Sequence, residues 1–135
     1  MTRLGIIGLG DMGGAIAEGV LAGQWDDEVT VVGCDVSAEA MDRFTELGGT
    51  PSASAAELAR RVDLVAVVVI DDAQVRQVCR GNDGVIAGAA ESGALVAVHS
   101  TVSPATVIEL AATAAEAGVA LIDAPVTGGA YSARS

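Results

Sequence analysis

The chain contains no lysine, and all seven of its basic residues are arginines. This absence excludes Schiff-base chemistry and a lysine acid or base within these 135 residues. Aspartate and glutamate number 18, which gives a formal net charge of −11 at pH 7. A nucleic-acid partner is not expected, because binding a phosphate backbone requires a basic face. The acidity indicates a solubilising surface instead.

Aromatic residues, cysteines and long apolar runs are also scarce. Aromatics make up 2% of a chain that is 51% hydrophobic, so the core must consist of Ala, Val, Leu and Ile. Cys34 and Cys79 lie far apart without a CxxC pair, so neither a disulfide nor a metal site is predicted, and a reducing cytoplasm fits. The longest unbroken apolar run, from Leu64 to Ile70, suits a strand and is too short for a membrane span. We therefore expect a cytoplasmic protein with no membrane partner and no signal peptide.

Strand-length apolar segments alternate with helical segments along the whole chain. Predicted strands cover residues 3–8, 29–34, 64–70, 94–98 and 119–122, with a short extended piece at 50–51. Predicted helices cover residues 11–22, 38–47, 55–61, 72–80, 85–90 and 104–117. The segment 64–70 is apolar at every position, which is typical of a parallel strand covered on both faces. The pattern predicts one α/β domain, a doubly wound parallel sheet in three α/β/α layers.

A glycine-rich turn, GLGDMG at residues 8–13, joins the first predicted strand to the first helix. Its spacing is G-x-G-x-x-G. Gly8 permits a tight turn, Gly10 lets a pyrophosphate approach the backbone, and Gly13 lets the helix pack closely on the strand. The helix N-terminus offers N–H groups and partial positive charge to phosphates. The strand and helix around the turn make it a predicted dinucleotide site in a Rossmann-type sheet.

Asp35 ends the second predicted strand, 22 residues after Gly13. An acidic residue at this place accepts hydrogen bonds from the ribose hydroxyls of a dinucleotide. Its charge disfavours a 2′-phosphate, and no arginine follows at position 36 or 37 to bind one. The sequence therefore favours NAD over NADP.

Three segments in order resemble the β-hydroxyacid dehydrogenase family. They are the glycine turn, STVSPAT at residues 100–106 and DAPVTGG at residues 123–129. The family includes 3-hydroxyisobutyrate dehydrogenases, tartronate semialdehyde reductases and, more distantly, 6-phosphogluconate dehydrogenases. The Asp-Ala-Pro start of the last segment is more similar to the hydroxyisobutyrate branch. The resemblance covers essentially the whole chain.

The resemblance implies a role for each segment. The glycine turn, including Leu9, Asp11 and Met12, would hold the pyrophosphate, and Asp35 would hold the ribose. Val69 and Ile70 occupy the place of a leucine-proline pair that lines the family's cofactor site, so the proline is missing here.

Two further segments would serve the nicotinamide and the substrate. Thr101 would contact the nicotinamide side of the cofactor. Thr127, Gly128 and Gly129 would hold the carboxylate and hydroxyl of a small β-hydroxyacid, similar to 3-hydroxyisobutyrate. The family usually has serine at position 127, and threonine keeps the hydroxyl.

The family's proton-transfer residue is a lysine in a helix beyond this region, near an all-helical second domain. No lysine is present here, and the sequence ends at Ser135. Oxidising a hydroxyl requires a base for its proton. His99, the only histidine, is predicted to have a hydrogen-bonded structural role. The resemblance thus implies that residues 1–135 are an N-terminal NAD-binding domain, truncated at its C-terminal end and inactive alone. The full-length protein would be a homodimer formed through its second domain.

Two alternatives remain open. The stretch from Gly8 to Val69, notably AIAEGV at residues 15–20, also resembles pyrroline-5-carboxylate reductases, although residues 100–129 do not fit that family. A non-catalytic NAD-binding module or sensor is favoured by the missing lysine. The intact substrate segment at residues 127–129 argues against such a module.

Overall fold

The computed structural model describes residues 2–26 and 28–125, in which strands and helices alternate. The strands are β1 (Thr2–Ile7), β2 (Val29–Cys34), β3 (Thr50–Pro51), β4 (Leu64–Val67), β5 (Leu95–Val98) and β6 (Leu121–Asp123). The helices are α1 (Asp11–Ala22), α2 (Ala38–Glu46), α3 (Ala55–Arg60), α4 (Asp72–Cys79), α5 (Val85–Ser92) and α6 (Pro104–Glu116). Within the described ranges, no helix has the length and apolar character needed to cross a membrane.

The strands form one sheet in the order β3-β2-β1-β4-β5-β6, and each neighbouring pair is parallel. After β3 the chain crosses back over β1 to begin β4, so the strand order reverses between β1 and β4. Ligands of such sheets bind beyond the carboxyl ends of the strands at this reversal. The topology confirms the predicted doubly wound sheet and places the glycine turn at the reversal point.

Two apolar clusters cover the two faces of the sheet. One contains Ala17 of α1 and Phe44 of α2, packed with Ile6 and Ala66 from the strands. The other contains residues of α3, α4, α5 and α6, packed with the opposite side of the same strands, for example Ile7. Since consecutive strand residues point to opposite faces, both faces are apolar, as the sequence of β4 predicted. The sheet is therefore the middle of three layers.

β4 ends three residues earlier than the sequence predicted. Its neighbour β1 ends at Ile7, and the last ladder bond of this edge runs from the Val68 N–H to the Ile7 carbonyl, at 2.8 Å. The next N–H, that of Val69, donates to the Ser100 hydroxyl instead, at 2.9 Å. The apolar run 68–70 is thus a loop at the carboxyl edge, because no strand is left for it to pair with.

An ion pair fixes the opposite end of β4. Asp63 accepts hydrogen bonds from the backbone N–H and the Nη2 of Arg3, both at 2.9 Å. The guanidinium and backbone hydrogen bonds of Arg3 hold the pKa of the Asp63 carboxyl below its ordinary value. A lowered carboxyl pKa stabilises the fold above the ordinary pKa of about 4, and this stabilisation is lost as pH falls through the folded-state pKa.

We therefore predict that Asp63→Asn has a smaller free energy of unfolding than the wild type at pH 7, and that the difference shrinks as the pH falls below the ordinary carboxyl pKa of about 4. Urea unfolding of both chains at neutral pH and in acid measures the two differences. A difference as large in acid as at neutral pH contradicts the prediction.

Candidate cofactor-binding site

The three glycines of the turn meet different surroundings. Gly8 has φ +93°, and a Cβ there would lie 2.2 Å from the Val68 carbonyl oxygen. A Cβ on Gly13 would lie 1.7 Å from the Gly8 carbonyl oxygen. A Cβ on Gly10 would have no atom within 4 Å. Gly8 and Gly13 are therefore required by the fold, whereas Gly10 leaves open space beside the backbone.

The helix that follows the turn has no side-chain cap. The helices α2, α3, α4 and α6 are each capped by a side chain that accepts from their first turn, namely Ser37, Ser54, Asp71 and Ser103. The α1 helix starts after Gly10, which offers no side-chain oxygen. Its first N–H groups have no intrahelical acceptor and carry partial positive charge. The α5 helix also lacks a side-chain cap, but it follows another helix rather than a strand.

Asp35 connects the end of β2 to the glycine turn. Its Oδ2 accepts from the Leu9 N–H at 2.6 Å, and its Oδ1 accepts from the Ser37 N–H at 2.8 Å. The residue is half-buried. Each carboxylate oxygen has two lone pairs, so Asp35 can hold the turn and still accept from a ribose hydroxyl. The Leu9 contact joins residues 26 positions apart and was not foreseen from the sequence.

Contacts continue from the turn toward the ends of β4 and β5. A Cβ on Gly8 would lie 3.1 Å from Val69 Cγ1, so the turn and the loop after β4 lie against each other. The buried Ser100 accepts from the Val69 N–H. Thr101, the next residue, is exposed. The predicted residues of the glycine turn, Asp35, Val69 and Thr101 therefore lie on adjoining loops at one edge of the sheet.

Ile70 stands where the resemblance implies a proline. Its N–H donates to the Gln74 Oε1 at 2.9 Å, a bond that proline could not make. The side chain is 84% exposed at the carboxyl edge. The loop is thus held by the side-chain amide of Gln74, and the apolar side chain of Ile70 is exposed.

The predicted substrate residues, Thr127, Gly128 and Gly129, lie outside the described residues. His99, as predicted, is hydrogen bonded: its Nδ1 is 2.6 Å from the Ala124 carbonyl oxygen. Since a carbonyl only accepts, Nδ1 carries the hydrogen and the neutral ring has its lone pair on Nε2. This bond fixes the ring at the ends of β5 and β6.

The two cysteines are unreactive by environment. Cys79 is fully buried, and burial raises the pKa of its thiol to about 12. Cys34 is half-buried, and burial, followed by the nearby Asp35 charge, raises its pKa as well. Within residues 2–26 and 28–125, no group of three or more metal-ligating side chains is gathered together. Neither thiol is a candidate for chemistry at the site.

A groove of about 390 Å³ lies beside the turn, between α1 and α2. Its lining includes Leu9, Gly10 and Asp11 together with Arg43 and Phe44 of α2. It does not include Asp35, Val69 or Thr101. The groove therefore adjoins the candidate site without containing it, and the site is the open edge of the sheet.

A second set of polar contacts at this edge was missed by the sequence analysis. Asp71 caps α4, accepting from the Gln74 N–H at 2.9 Å, and Asp72 lies in the first turn of that helix. The Asp72 Oδ2 also reaches α6, where it accepts from the Thr106 hydroxyl at 2.5 Å and the Ser103 N–H at 3.1 Å. We call Asp72, Ser103 and Thr106 the α4–α6 clasp. Contacts over 31 and 34 positions leave no local sequence signal.

The reversal of strand order at β1, the glycine turn and the uncapped α1 define a Rossmann-type nucleotide-binding domain. More specifically, residues 3–135 match the family described as the NAD binding domain of 6-phosphogluconate dehydrogenase, and the chain belongs to that family.

Similar proteins are β-hydroxyacid dehydrogenases. L-threonate dehydrogenase of Cupriavidus necator is 40% identical, over 100% of this chain and 44% of that enzyme. The mitochondrial 3-hydroxyisobutyrate dehydrogenase of Mus musculus is 30% identical, over 99% of this chain and 38% of that enzyme. The crystal structure of 3-hydroxyisobutyrate dehydrogenase from Salmonella typhimurium has a TM-score of 0.81 at 36% identity, over 99% of this chain and 45% of that one. The chain thus spans less than half the length of these relatives.

Structures of this fold hold either nicotinamide cofactor. An imine reductase from Myxococcus stipitatus is in complex with NADP⁺, and its V8 variant is in complex with NAD⁺. Their TM-scores are 0.82 and 0.84, and their identities of 21% and 22% show the fold alone. The family match, and not these structures, makes the chain an NAD(P)-binding domain of the β-hydroxyacid dehydrogenase type.

Proposed function

We propose that this chain binds NAD as the cofactor domain of an oxidoreductase that moves hydride between the nicotinamide and a small β-hydroxyacid similar to 3-hydroxyisobutyrate. The observation that carries the proposal is the uncapped N-terminus of α1, which lies beside the open space at Gly10. The match to the dehydrogenase family supports the reaction class, and the named substrates of the relatives support the substrate class.

The residues present fit the cofactor. The first N–H groups of α1 would bind the pyrophosphate, because a methyl-free position at Gly10 lets phosphate oxygens reach them. Asp35 would accept from the ribose hydroxyls with its remaining lone pairs. Val69 and Thr101 would line the nicotinamide end of the same edge. Bound NAD supplies the hydride acceptor.

Proton transfer needs a base, and the lysine that the resemblance assigns to this role is absent from the sequence. The ring of His99 is held in place by the bond from its Nδ1 to the Ala124 carbonyl, and we assign it a structural role. We propose that the 135-residue chain turns over no hydroxyacid, and that the substrate contacts of Thr127, Gly128 and Gly129 serve a longer protein. Steady-state reduction of NAD with 3-hydroxyisobutyrate by the purified chain contradicts this point.

Calorimetry with NAD and NADP tests the binding proposal. We expect the wild-type chain to bind NAD more tightly than NADP, because the Asp35 carboxylate repels a 2′-phosphate. Asp35→Asn keeps an acceptor for the Leu9 N–H but removes the charge. We therefore expect the ratio of the NADP dissociation constant to the NAD dissociation constant to fall about tenfold. Asp42→Asn, which removes the same charge from the exposed side of α2, is the control and should keep the wild-type preference.

Two outcomes contradict the proposal at different points. If neither cofactor binds at millimolar concentration, the chain is not a dinucleotide-binding domain in isolation. If NAD and NADP bind with equal affinity, the predicted preference for NAD is absent and the Asp35 charge does not discriminate against a 2′-phosphate.

A further inference from the structure

Two loops that carry predicted cofactor residues are joined by hydrogen bonds on both sides of Thr101. On one side, Ser100 is 5% exposed, and its hydroxyl accepts from the Val69 N–H at 2.9 Å. On the other side, the Ser103 N–H donates to Asp72 at 3.1 Å. Residues 101–102, of which Thr101 is exposed and Val102 is partly buried, are therefore held at one end by the loop after β4 and at the other by the first residue of α4.

The Asp72 end of this connection is supported from α6. Thr106 has no exposed surface, and its hydroxyl donates to Asp72 at 2.5 Å. The same oxygen is 3.1 Å from the Ser103 hydroxyl and accepts from the Arg76 Nη2 at 3.0 Å. Arg76 in turn pairs with Glu109 at 3.1 Å. The carboxylate, both hydroxyls and the guanidinium thus satisfy one another, which orients Asp72 toward the Ser103 backbone.

Hydrogen bonds to a carboxylate are about twice as strong as neutral ones. Those from Thr106 and then Ser103 lower the pKa of the Asp72 carboxyl, so the clasp stays ionised at neutral pH. Asp72 lies in the first turn of α4, and its partners Ser103 and Thr106 account for its position without a direct contact to the cofactor.

We propose that Asp72 is a positioning residue for the nicotinamide end of the cofactor: through the α4–α6 clasp it fixes the backbone of residues 101–103 and so the place of Thr101. This inference rests on the proposed NAD binding. It adds that the clasp governs the nicotinamide half of that binding and leaves the pyrophosphate and adenosine half, held by the glycine turn and Asp35, unaffected.

The test compares NAD⁺ with ADP-ribose, which has the same adenosine, pyrophosphate and ribose but no nicotinamide. Both dissociation constants are measured by calorimetry on the purified chain, and circular dichroism checks each variant's fold. For Asp72→Ala we expect the NAD⁺ constant to rise about fivefold relative to that for ADP-ribose, because one charge-assisted bond to the loop is lost. Asp72→Asn keeps an oxygen for both donors, so the ratio should stay within about twofold of the wild type.

Asp63→Ala is the matched control. Asp63 also accepts from one backbone N–H and one side chain, but it lies before β4, at the opposite end of the strand. It should leave the ratio of the two constants unchanged. Thr106→Val, which removes the hydroxyl while keeping the side chain's size, should change the ratio in the same direction as Asp72→Ala.

An unchanged ratio in both Asp72→Ala and Thr106→Val overturns the inference, and so does an equal change in Asp63→Ala. Failure of the wild type to bind either ligand is a different result, because it removes the proposed function itself.

Discussion

Gly10→Ala is expected to weaken NAD binding about a hundredfold while leaving the chain's melting temperature nearly unchanged. Gly10 has φ −71° and ψ −152°, so it does not have the positive φ that would demand glycine. No atom lies within 4 Å of the added Cβ, so the fold meets no clash. The methyl group instead fills the space through which a pyrophosphate would reach the first turn of α1. Calorimetry with NAD and a thermal melt by circular dichroism measure the two effects separately.

Gly10→Ser tests the same space by another route. A serine at the first cap position can accept from the N–H groups of the first turn, as Ser37, Ser54 and Ser103 do for their helices. Such a cap typically stabilises a helix by about 1 kcal/mol relative to alanine. The variant should therefore be at least as stable as the wild type and still bind NAD poorly. Wild-type affinity in either variant contradicts a pyrophosphate site at α1.

Opposite demands of helix stability and NAD binding on the residue at position 10 explain why α1 lacks the side-chain cap that four of the other helices have. A side-chain cap would satisfy the N–H groups that a phosphate must bind, so the cap and the ligand compete for the same donors. The fold tolerates the missing cap because α1 contributes Ala17, which has no exposed surface, to the core under the sheet. Packing rather than capping holds this helix in place.

Much of the fold could be predicted because it depends on local pattern. The bounds of α1 and β2 agree with the sequence prediction, since each is delimited by its own residues: glycines around the helix, and charged residues before and after the strand. The run 64–70 shows the limit of such patterns. Its apolar character does not reveal that β1 ends at Ile7 and leaves residues 68–70 without a strand partner.

The candidate site was predicted in its parts but not in its connections. The glycine spacing and the place of Asp35 are visible along the chain, and the structure brings them together as expected. The bond from Leu9 to Asp35 and the α4–α6 clasp join residues 26 or more positions apart. Such contacts depend on which loops the strand order brings together. A carboxylate in the first turn of a helix, such as Asp72, is already explained by the partial positive charge of the helix N-terminus, so the sequence gives no reason to look for a distant partner.

Gly13→Ala is expected to cost the fold at least about 3 kcal/mol, because it forces two pieces of backbone into the same space. The new Cβ would lie 1.7 Å from the Gly8 carbonyl oxygen and 2.8 Å from its carbonyl carbon. Gly8 cannot move aside easily, because its N–H donates to the Cys34 carbonyl at 3.0 Å. The backbone of Gly8 also lies so close to Val68 that a Cβ added to Gly8 would be 2.2 Å from the Val68 carbonyl oxygen.

For a chain of this size, such a cost lowers the melting temperature by about 10 °C or more, and NAD binding is lost with the shape of the turn. Gly14→Ala, one residue further along α1, is the matched control. Its Cβ would lie 3.1 Å from the Leu9 carbonyl oxygen, a tight contact that a small shift relieves, and alanine favours the helix by about 1 kcal/mol over glycine. It should melt within a few degrees of the wild type. Equal melting temperatures for the two variants contradict the view that close packing of helix and strand, rather than flexibility, requires glycine at position 13.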